Sequence, residues 1–486
     1  MGLRPAISPN SSGSALVSGE FHDGVVKALS NEALRGHLRR AMDSLIEKRL
    51  AVFPDSDELE SLRHRCMGIR ANALSKLPDL LVHLEARCEE QGIRVHWAET
   101  TAEANSIVLE ILRSHRVERL VKGKSMVSEE MGLNHALEAE GIECLESDLG
   151  EFIIQLAGET PSHIVMPALH KSKQEIAELF HEKFPDIPYS DDVDELTAVA
   201  RGILREKFMQ ADAGLSGVNF LVAETGTLCL VENEGNGRMS TTVPPLHIAV
   251  TGIEKVVERL TDVPPLLSLL TRSATGQPIT TYFNMINGPR QPGEKDGPQE
   301  VHLVLLDNGR SRIFADEELQ ATLRCIRCGA CINHCPVYTR LGGHAYGTVY
   351  PGPIGSILEP QKEGLERLGE LAEASTLCGA CGEVCPVRIP IPKLLNRLRW
   401  EGVRHDGSGE TAGQGKRRKQ SQALAWKGWS TLASHPALYR TAVKSASRFR
   451  RLLPQQLGPW THVRKAPEIA EKPLRELAEE EGFSHE

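Results

Sequence analysis

An internal cysteine repeat constrains this chain more than any other feature of its sequence. The segment CIRCGACINHCPV at residues 325–337 recurs as STLCGACGEVCPV at 375–387, so both copies contain C-G-A-C-x-x-x-C-P-V. Seven of the eleven cysteines lie between residues 325 and 385, and the other four are scattered singly. In a reducing compartment, thiols clustered in this way indicate metal binding or catalysis, not a disulfide framework.

The spacing within each copy is typical of a cubane iron–sulfur site. Three cysteines in C-x2-C-x2-C can reach one face of a cluster, and in two-cluster ferredoxins the fourth cysteine, before proline, serves the other cluster. The sequence therefore predicts two [4Fe-4S] clusters with crossed ligands. The predicted ligands are Cys325, Cys328, Cys331 and Cys385 for cluster one, and Cys335, Cys378 and Cys381 for cluster two.

The second copy departs from the first at the position of its first ligand. The residue that matches Cys325 is Ser375, which leaves cluster two with three evident thiolates. Cluster two is then either a [3Fe-4S] cluster or a cubane with an unusual fourth ligand. Ser375 itself, solvent, a substrate, or a histidine such as His334 or His344 could supply that ligand, and the sequence does not choose among them.

A structural zinc site is the alternative, because C-x2-C pairs also form zinc knuckles and ribbons. A tetrahedral zinc site does not require a duplicated C-x2-C-x2-C-x3-C-P run, and this favours iron–sulfur clusters. The small residues Gly329, Ala330, Gly379 and Ala380 agree with that interpretation, because they let backbone N–H groups approach cluster sulfur. Apolar residues at helical spacing between the motifs predict a helical ferredoxin-type domain.

Composition and charge limit the classes of protein to which the chain can belong. The chain is 40% apolar and 25% charged, which is ordinary globular composition. We expect a cytoplasmic protein, because no apolar run is long enough to span a membrane and the first residues lack the apolar core of a secretory signal. Residues 416–465 carry twelve Lys or Arg and no Asp or Glu, so this segment could meet an anionic membrane, an acidic partner or nucleic acid, or fold against the acidic remainder.

From about Gly92 onward, strand-like and helical patterns alternate, which predicts an α/β domain with a mostly parallel sheet. The runs VERLVKG, GIECLES, FIIQLAG and SHIVMP are strand-like. A turn at Thr225-Gly226 and a hairpin at Asn308-Gly309 predict antiparallel additions to that sheet. The predicted regions are a helical N-terminal extension at 1–56, the α/β domain at 57–315, the helical ferredoxin domain at 316–403, and a basic C-terminal region at 404–486.

Ligand fingerprints are weak in the α/β region. No G-x-G-x-x-G follows a strand-like run, and Gly123-Lys124-Ser125 lacks the first glycine of a phosphate loop, whose position is Glu118. Polar residues at the ends of strand-like segments predict a small-anion pocket, because α/β domains bind ligands there. These residues are Lys122, Lys124, Glu224, Thr225 and Arg238.

Several long segments resemble the lactate utilization protein B family. They include KGKSMVSEEMGLN, FLVAETGTLCLVENEGNGRMSTTVPPLHIAVTGIEKV, GGHAYGTVYPGPIG and both cysteine motifs, and the resemblance spans about residues 60–400. It implies a LUD domain, related in fold to the NagB/RpiA sugar-isomerase and CoA-transferase-like α/β proteins, then an α-helical ferredoxin domain and a family-specific C-terminal region. The family's ligand assignment agrees with the crossed scheme.

The resemblance also implies a part in oxidising L-lactate to pyruvate for growth on lactate, beside two lactate-utilization partners, one cysteine-rich and the other a stand-alone LUD-domain protein. In the leading hypothesis a partner removes two electrons from lactate, the clusters of this non-catalytic chain pass them on singly, and a membrane quinone accepts them. A second hypothesis makes cluster two a Lewis-acid site for a hydroxy acid. A third, less favoured, treats the clusters as structural and the basic tail as a nucleic-acid surface.

Overall fold

The computed structural model describes residues 20–403, 420–452, 466 and 468–483, and the chain divides into one compact unit that ends at Gly402 and a second that begins at Val403. In the first unit the helices are α1 (Glu20–Ser30), α2 (Glu32–Ala51), α3 (Ser56–Ser75), α4 (Leu77–Glu90), α5 (Thr101–Ser114), α6 (Met126–Glu130), α7 (Leu133–Ala139), α8 (Leu149–Ala157), α9 (Lys173–Lys183), α10 (Val193–Gln210), α11 (Asn236–Thr242), α12 (Val263–Thr275), α13 (Arg310–Phe314), α14 (Ala330–Asn333), α15 (Tyr338–Leu341), α16 (Gly352–Glu363), α17 (Leu365–Glu373), α18 (Ala380–Glu383) and α19 (Ile391–Val403). The strands are β1 (Ile93–Ala98), β2 (Arg119–Lys122), β3 (Glu143–Glu146), β4 (Ala213–Gly217), β5 (Phe220–Val222), β6 (Thr227–Glu232), β7 (Leu246–Gly252), β8 (Val256–Val257), β9 (Tyr282–Ile286) and β10 (Glu300–Leu306).

The main sheet has six strands in the order β1-β10-β7-β4-β2-β3, and every neighbouring pair is parallel. The central strands β7 and β10 are buried along almost their whole length, as expected when helices cover both faces of a parallel sheet. The predicted mostly parallel α/β architecture is confirmed.

A second sheet, in the order β8-β5-β6-β9, contains the antiparallel pairs. Strands β5 and β6 turn at Thr225-Gly226 as predicted, and β9 pairs antiparallel with β6. The prediction that these strands extend the main sheet is wrong, because they form a layer of their own.

Two of the segments predicted to be strands are described by the structure but do not form strands. FIIQLAG lies in helix α8, where the Asp148 side chain accepts the backbone N–H of Glu151 at 3.1 Å and Gly158 ends the helix with a left-handed φ of 65°. A short apolar run has no periodicity that separates a strand from a buried helix, and these two caps decide the outcome. SHIVMP forms bends and turns without strand pairing.

The predicted hairpin at Asn308-Gly309 is also wrong. Both residues have positive φ, 43° and 84°, and they lead β10 directly into helix α13. An Asn-Gly pair supplies a left-handed turn, but the following residues decide whether that turn joins a strand to a strand or to a helix.

The N-terminal helices and residues 316–402 belong to the same compact unit as the sheets. Leu38, Met42 and Leu45 are buried on one face of α2, and α2 packs against both α12 and α15. The described elements within residues 316–403 are all helical. One of the hydrophobic clusters of this unit contains residues from Met42 to Leu398 and so spans the predicted boundaries near 56 and 315.

The second unit contains the helices α20 (Gln420–Ser434), α21 (Pro436–Arg448) and α22 (Leu474–Glu480). An ion pair of 3.1 Å between Lys444 and Glu476 joins α21 to α22. Part of the predicted basic segment, including the run at 416–419, lies outside the described residues. Among the residues that the structure describes, no helix has both the length and the apolar character needed to cross a membrane.

Close packing of α11 on strand β4 requires glycine at position 214. A Cβ there would lie 1.8 Å from the Ser240 carbonyl oxygen, whereas a Cβ on Gly202, in α10, would meet no atom within 4 Å. We predict that Gly214→Ala destabilises the fold by about 1–3 kcal/mol or more through overpacking. Gly202→Ala should instead stabilise it by up to about 1 kcal/mol, because alanine favours a helix interior. Thermal unfolding midpoints that fall equally in both variants would contradict the packing argument.

Candidate metal centres

The cysteines of the two copies are brought together in the crossed arrangement. Cys325, Cys328 and Cys331 of the first copy line one small cavity with Cys385 of the second, and apolar side chains cover most of its remaining wall. All four thiols are buried. No three His, Cys, Asp or Glu side chains of the described residues converge closely enough to hold a single metal ion. These four thiols instead share the wall of a cavity.

The remaining three cysteines form a second set beside the first. Burial, together with the nearby Cys335 and Cys378 thiolates, raises the pKa of the Cys381 thiol to about 12. Burial also raises the pKa of Cys331, and Cys381 is among the thiolates that raise it further, so the two sets are neighbours. Cys378 is exposed. The second set therefore reaches the protein surface, and the first does not.

The two cysteine loops have the same backbone conformation. Arg327 and Leu377 stand at matching positions with φ of 60° and 56°, and Gly329 and Gly379 follow with 84° and 90°. Each loop then begins a four-residue helix, α14 or α18. Left-handed φ is uncommon for residues other than glycine, so its recurrence at both matching positions marks a shape that the surroundings impose.

Backbone N–H groups point at the thiols, as an iron–sulfur site requires. Cys325 Sγ accepts the N–H of Arg327 at 3.3 Å, and Cys385 Sγ accepts the N–H of Ile389 at 3.3 Å. Such bonds stabilise a thiolate and tune the potential of a bound cluster. The donor set, its burial and these N–H groups together fit a cubane cluster in the first site.

Two arginines of helix α3 hold the two loops, and sequence reasoning missed both. Arg70 donates to the carbonyl oxygens of Leu323 and Arg324 at 3.0 and 3.3 Å, just before the first loop. Arg63 donates to the carbonyl oxygen of Cys385 at 3.0 Å, in the second loop. The two arginines are seven residues apart, which places them on one face of the helix. The signal in the sequence was the seven-residue spacing of these two arginines, which is the spacing of residues on one buried face of a helix.

A buried ionic network lies next to the first site. Arg310, fully buried, pairs with Glu130 at 2.9 Å and with Glu254 at 2.6 Å, and Arg327 pairs with Glu254 at 3.2 Å. Burial alone would raise the pKa of Glu254, but the guanidinium groups of Arg310 and Arg327 lower it to about 2. The carboxylate is therefore ionised at neutral pH. This network ties the cysteine loop to strand ends of the α/β region.

The residues of the predicted anion pocket fall into separate places. Lys122 ends β2 and Lys124 follows it, with its Nζ on the Val165 carbonyl oxygen at 2.7 Å. Glu224 and Thr225 lie at the β5–β6 turn, where Glu224 accepts the N–H of Leu260 at 3.0 Å. Arg238 is an exposed residue of α11, the helix that packs beside Gly123. The structure therefore groups the lysines near α11 and does not group them with Glu224 and Thr225.

Lys122 is already saturated by protein partners. Its ammonium contacts Glu129 at 2.6 Å, Glu146 at 2.7 Å and the Ser128 hydroxyl at 2.9 Å, which uses its three donors. Burial and the Glu146 carboxylate raise the pKa of nearby Glu151 well above its usual range. Sequence reasoning missed Glu151 because it took most of α8 for a strand. The arrangement is a carboxyl-rich cluster around one lysine, and not an open anion receptor.

The ionic network gives a stability prediction. Glu254→Gln leaves two buried guanidinium groups without their shared carboxylate, so we expect a loss of about 3–5 kcal/mol in the free energy of unfolding. The matched control is Glu258→Gln, because that carboxylate forms its 2.9 Å pair with Lys76 at the surface and should be worth at most about 1 kcal/mol. Equal shifts of the urea midpoint in the two variants would contradict the assigned role of Glu254.

Comparisons with known proteins cover all three parts of the chain. Residues 81–306 match the LUD domain, residues 321–389 match the 4Fe-4S dicluster domain, and residues 397–483 match the C-terminal domain of lactate utilisation protein B. The dicluster match encloses both copies of the cysteine repeat. A crystal structure of a DUF162 family protein from Deinococcus radiodurans covers 47% of this chain and 98% of its own, at 15% identity and a TM-score of 0.27, which is too low to support an argument about the fold.

Curated relatives extend the similarity over nearly the whole chain. Lactate utilization protein B of Bacillus velezensis is 41% identical over 457 residues, which cover 92% of this chain and 94% of the relative. The Bacillus subtilis protein of the same name is 41% identical over 457 residues and covers 92% and 93%. That of Macrococcus caseolyticus is 42% identical over 459 residues and covers 92% and 94%. With its LUD domain, its dicluster motif and this level of identity, the chain belongs to the lactate utilization protein B family.

Proposed function

We propose that this chain is an iron–sulfur electron-transfer subunit of a complex that oxidises L-lactate to pyruvate. The observation that carries the proposal is the pair of adjacent cysteine sets, four thiols around one cavity and three beside it. One [4Fe-4S] cluster would be held by the first set and a second cluster by the second set. When bound, such clusters accept and donate single electrons.

Guanidinium groups near the first set suit this role. Arg49, on α2, interacts electrostatically with Cys328, Arg70 interacts with Cys325, and Arg324 interacts with Cys385. Four thiolates and a cubane carry net negative charge, which a buried site must offset. Positive side chains there stabilise the thiolates and favour uptake of a further electron, so they raise the reduction potential of the site.

The difference in burial between the two sets suggests different roles for the two clusters in electron transfer. The first set is enclosed, whereas Cys378 of the second set is exposed. An exposed site lets a partner protein bring its own redox centre close, while an enclosed site is shielded from solvent and oxidants. We propose that cluster two exchanges electrons at the surface and that cluster one stores or relays them inside the fold.

The fold assignments of the two regions are part of the proposal. The six-stranded parallel sheet supports a NagB/RpiA and CoA-transferase-like LUD domain, and the helical elements of residues 316–403 support an α-helical ferredoxin domain. The similarity to proteins called lactate utilization protein B supports the substrate. The chain itself would not bind lactate, and its partners would be a cysteine-rich lactate-utilization protein and a stand-alone LUD-domain protein.

The C-terminal unit supports a peripheral contact with an anionic membrane surface on the cytoplasmic side. Trp426, Trp429 and Tyr439 are exposed on helices α20 and α21, and basic residues without acidic ones fill the surrounding sequence at 416–465. Aromatic rings with cations are the side chains that suit a lipid interface. A quinone in that membrane would be the electron acceptor.

A cysteine substitution tests the electron-transfer role. We predict that Cys328→Ala abolishes the signal of cluster one in the dithionite-reduced protein and abolishes growth on lactate, because one of four thiolates of the enclosed site is lost. Cys229→Ala is the control, since Cys229 is a buried thiol outside both sets, and it should keep both clusters and growth. Unchanged growth on lactate in Cys328→Ala would refute the proposed function.

A charge substitution tests the tuning of cluster one. Removing the guanidinium group that interacts with Cys328 by Arg49→Gln should make the reduction potential of cluster one more negative, by on the order of 50–100 mV at an effective dielectric constant of about 20. Arg39→Gln lies on the same helix, but its side chain is exposed and pairs with Asp43, so it should leave the potential unchanged. Potentiometric titration followed by electron paramagnetic resonance makes the measurement. Equal potentials in the two variants would show that Arg49 does not act on the cluster.

A further inference from the structure

Ser375 occupies in the second cysteine loop the position that Cys325 occupies in the first. Cys325 Sγ accepts the N–H of Arg327 at 3.3 Å, and Ser375 Oγ accepts the N–H of Leu377 at 3.1 Å. Each acceptor lies two residues before its donor, and both donors have the same left-handed φ. The Ser375 hydroxyl is therefore held by its loop in the way that the Cys325 thiol is held.

The backbone before each loop is clamped by an arginine. Arg399, on α19, donates to the carbonyl oxygens of Ala372 and Ser375, both at 2.8 Å. Arg70 does the same for the residues just before Cys325. The clamp fixes the direction of the loop, and with it the place of the Ser375 side chain.

Cys325 lines the cavity with the three other thiols of the first set. The repeat and the shared loop conformation place Ser375 in the same relation to the second set, Cys335, Cys378 and Cys381. We propose that Ser375 Oγ is the fourth protein ligand of cluster two, an inference that rests on the proposed function. Formation of the bond from Oγ to iron releases the hydroxyl proton to solvent, which the half-buried Ser375 side chain can reach.

The two histidines that the sequence left as alternatives each pair one ring nitrogen with a backbone carbonyl oxygen. His334 Nδ1 pairs with the Ala330 carbonyl oxygen at 2.9 Å, on the turn that follows the first loop. His344 Nε2 pairs with the Thr160 carbonyl oxygen at 2.7 Å, and its ring lies 4.5 Å from that of His170. Neither histidine belongs to the second loop. Ser375 is the candidate that the loop itself presents.

An oxygen ligand gives cluster two different properties from cluster one. Oxygen is a harder donor than thiolate and suits iron less well, so the iron at Ser375 should be the most easily lost of the cluster. Replacing the oxygen by sulfur should bind that iron more firmly and make the potential of cluster two less negative. These two expectations separate a ligand from a serine that merely shapes the loop.

The test uses the full chain, purified without oxygen, as wild type, Ser375→Ala, Ser375→Cys and the neighbouring control Thr376→Ala. Iron and acid-labile sulfide are counted per chain, and electron paramagnetic resonance spectra are recorded before and after dithionite. Wild type and Thr376→Ala should hold about eight irons as two cubanes. Ser375→Ala should hold about seven, with an oxidised three-iron signal and an unchanged cluster one. Ser375→Cys should keep about eight and shift the potential of cluster two in the positive direction.

Two results would overturn the inference. One is a Ser375→Ala protein with the iron content, spectrum and cluster-two potential of wild type. The other is a wild-type cluster two that stays at three irons after incubation with ferrous iron, which would instead favour a permanent three-iron cluster without a protein ligand at the fourth corner. A wild-type chain without either cluster would overturn the proposed function itself, so the two failures are distinguishable.

Discussion

The structure depends on enclosing several thiols and their charge inside one protein core. A buried carboxylate or thiolate does not stay ionised without a compensating positive charge, because the free-energy cost of its desolvation is too large. The chain meets this constraint with guanidinium groups. Arg63 and Arg70, two turns apart on α3, bind the backbone of both cysteine loops, and Arg327 joins the first loop to the buried Glu254. Helix α3 is therefore part of the packing around both cysteine loops.

The same constraint explains why the α/β and cysteine-bearing regions form one compact unit. Cys385 lines one cavity with the three cysteines of the first loop, so two segments far apart in sequence meet there. The ionic network around Arg310 then connects that meeting point to the end of β7.

Local pattern predicted much of the fold and the grouping of Cys385 with the first three cysteines of the repeat. The spacing of the cysteines can be read directly from the sequence, so the crossed sets could be predicted without the structure. The alternation of strand-like and helical segments indicated the parallel sheet. Short apolar runs such as FIIQLAG could not be assigned, because capping by Asp148 and Gly158, and not periodicity, makes that run a helix. Glu254 and Arg310 could not be paired from sequence, because only the fold brings residues 56 positions apart into contact at 2.6 Å. The correspondence between Ser375 and Cys325 was visible when the two copies of the repeat were aligned, but the hydrogen bond to Ser375 Oγ was not.

The central claim is that electrons from lactate pass through the two cysteine sets. The most direct measurement is to mix the loaded chain anaerobically with its partner proteins, add L-lactate, and follow reduction of the clusters by electron paramagnetic resonance. We predict reduction that requires both lactate and the partner proteins and that precedes reduction of the acceptor. Formation of pyruvate and reduced acceptor while clusters that dithionite can reduce stay oxidised throughout would contradict the claim.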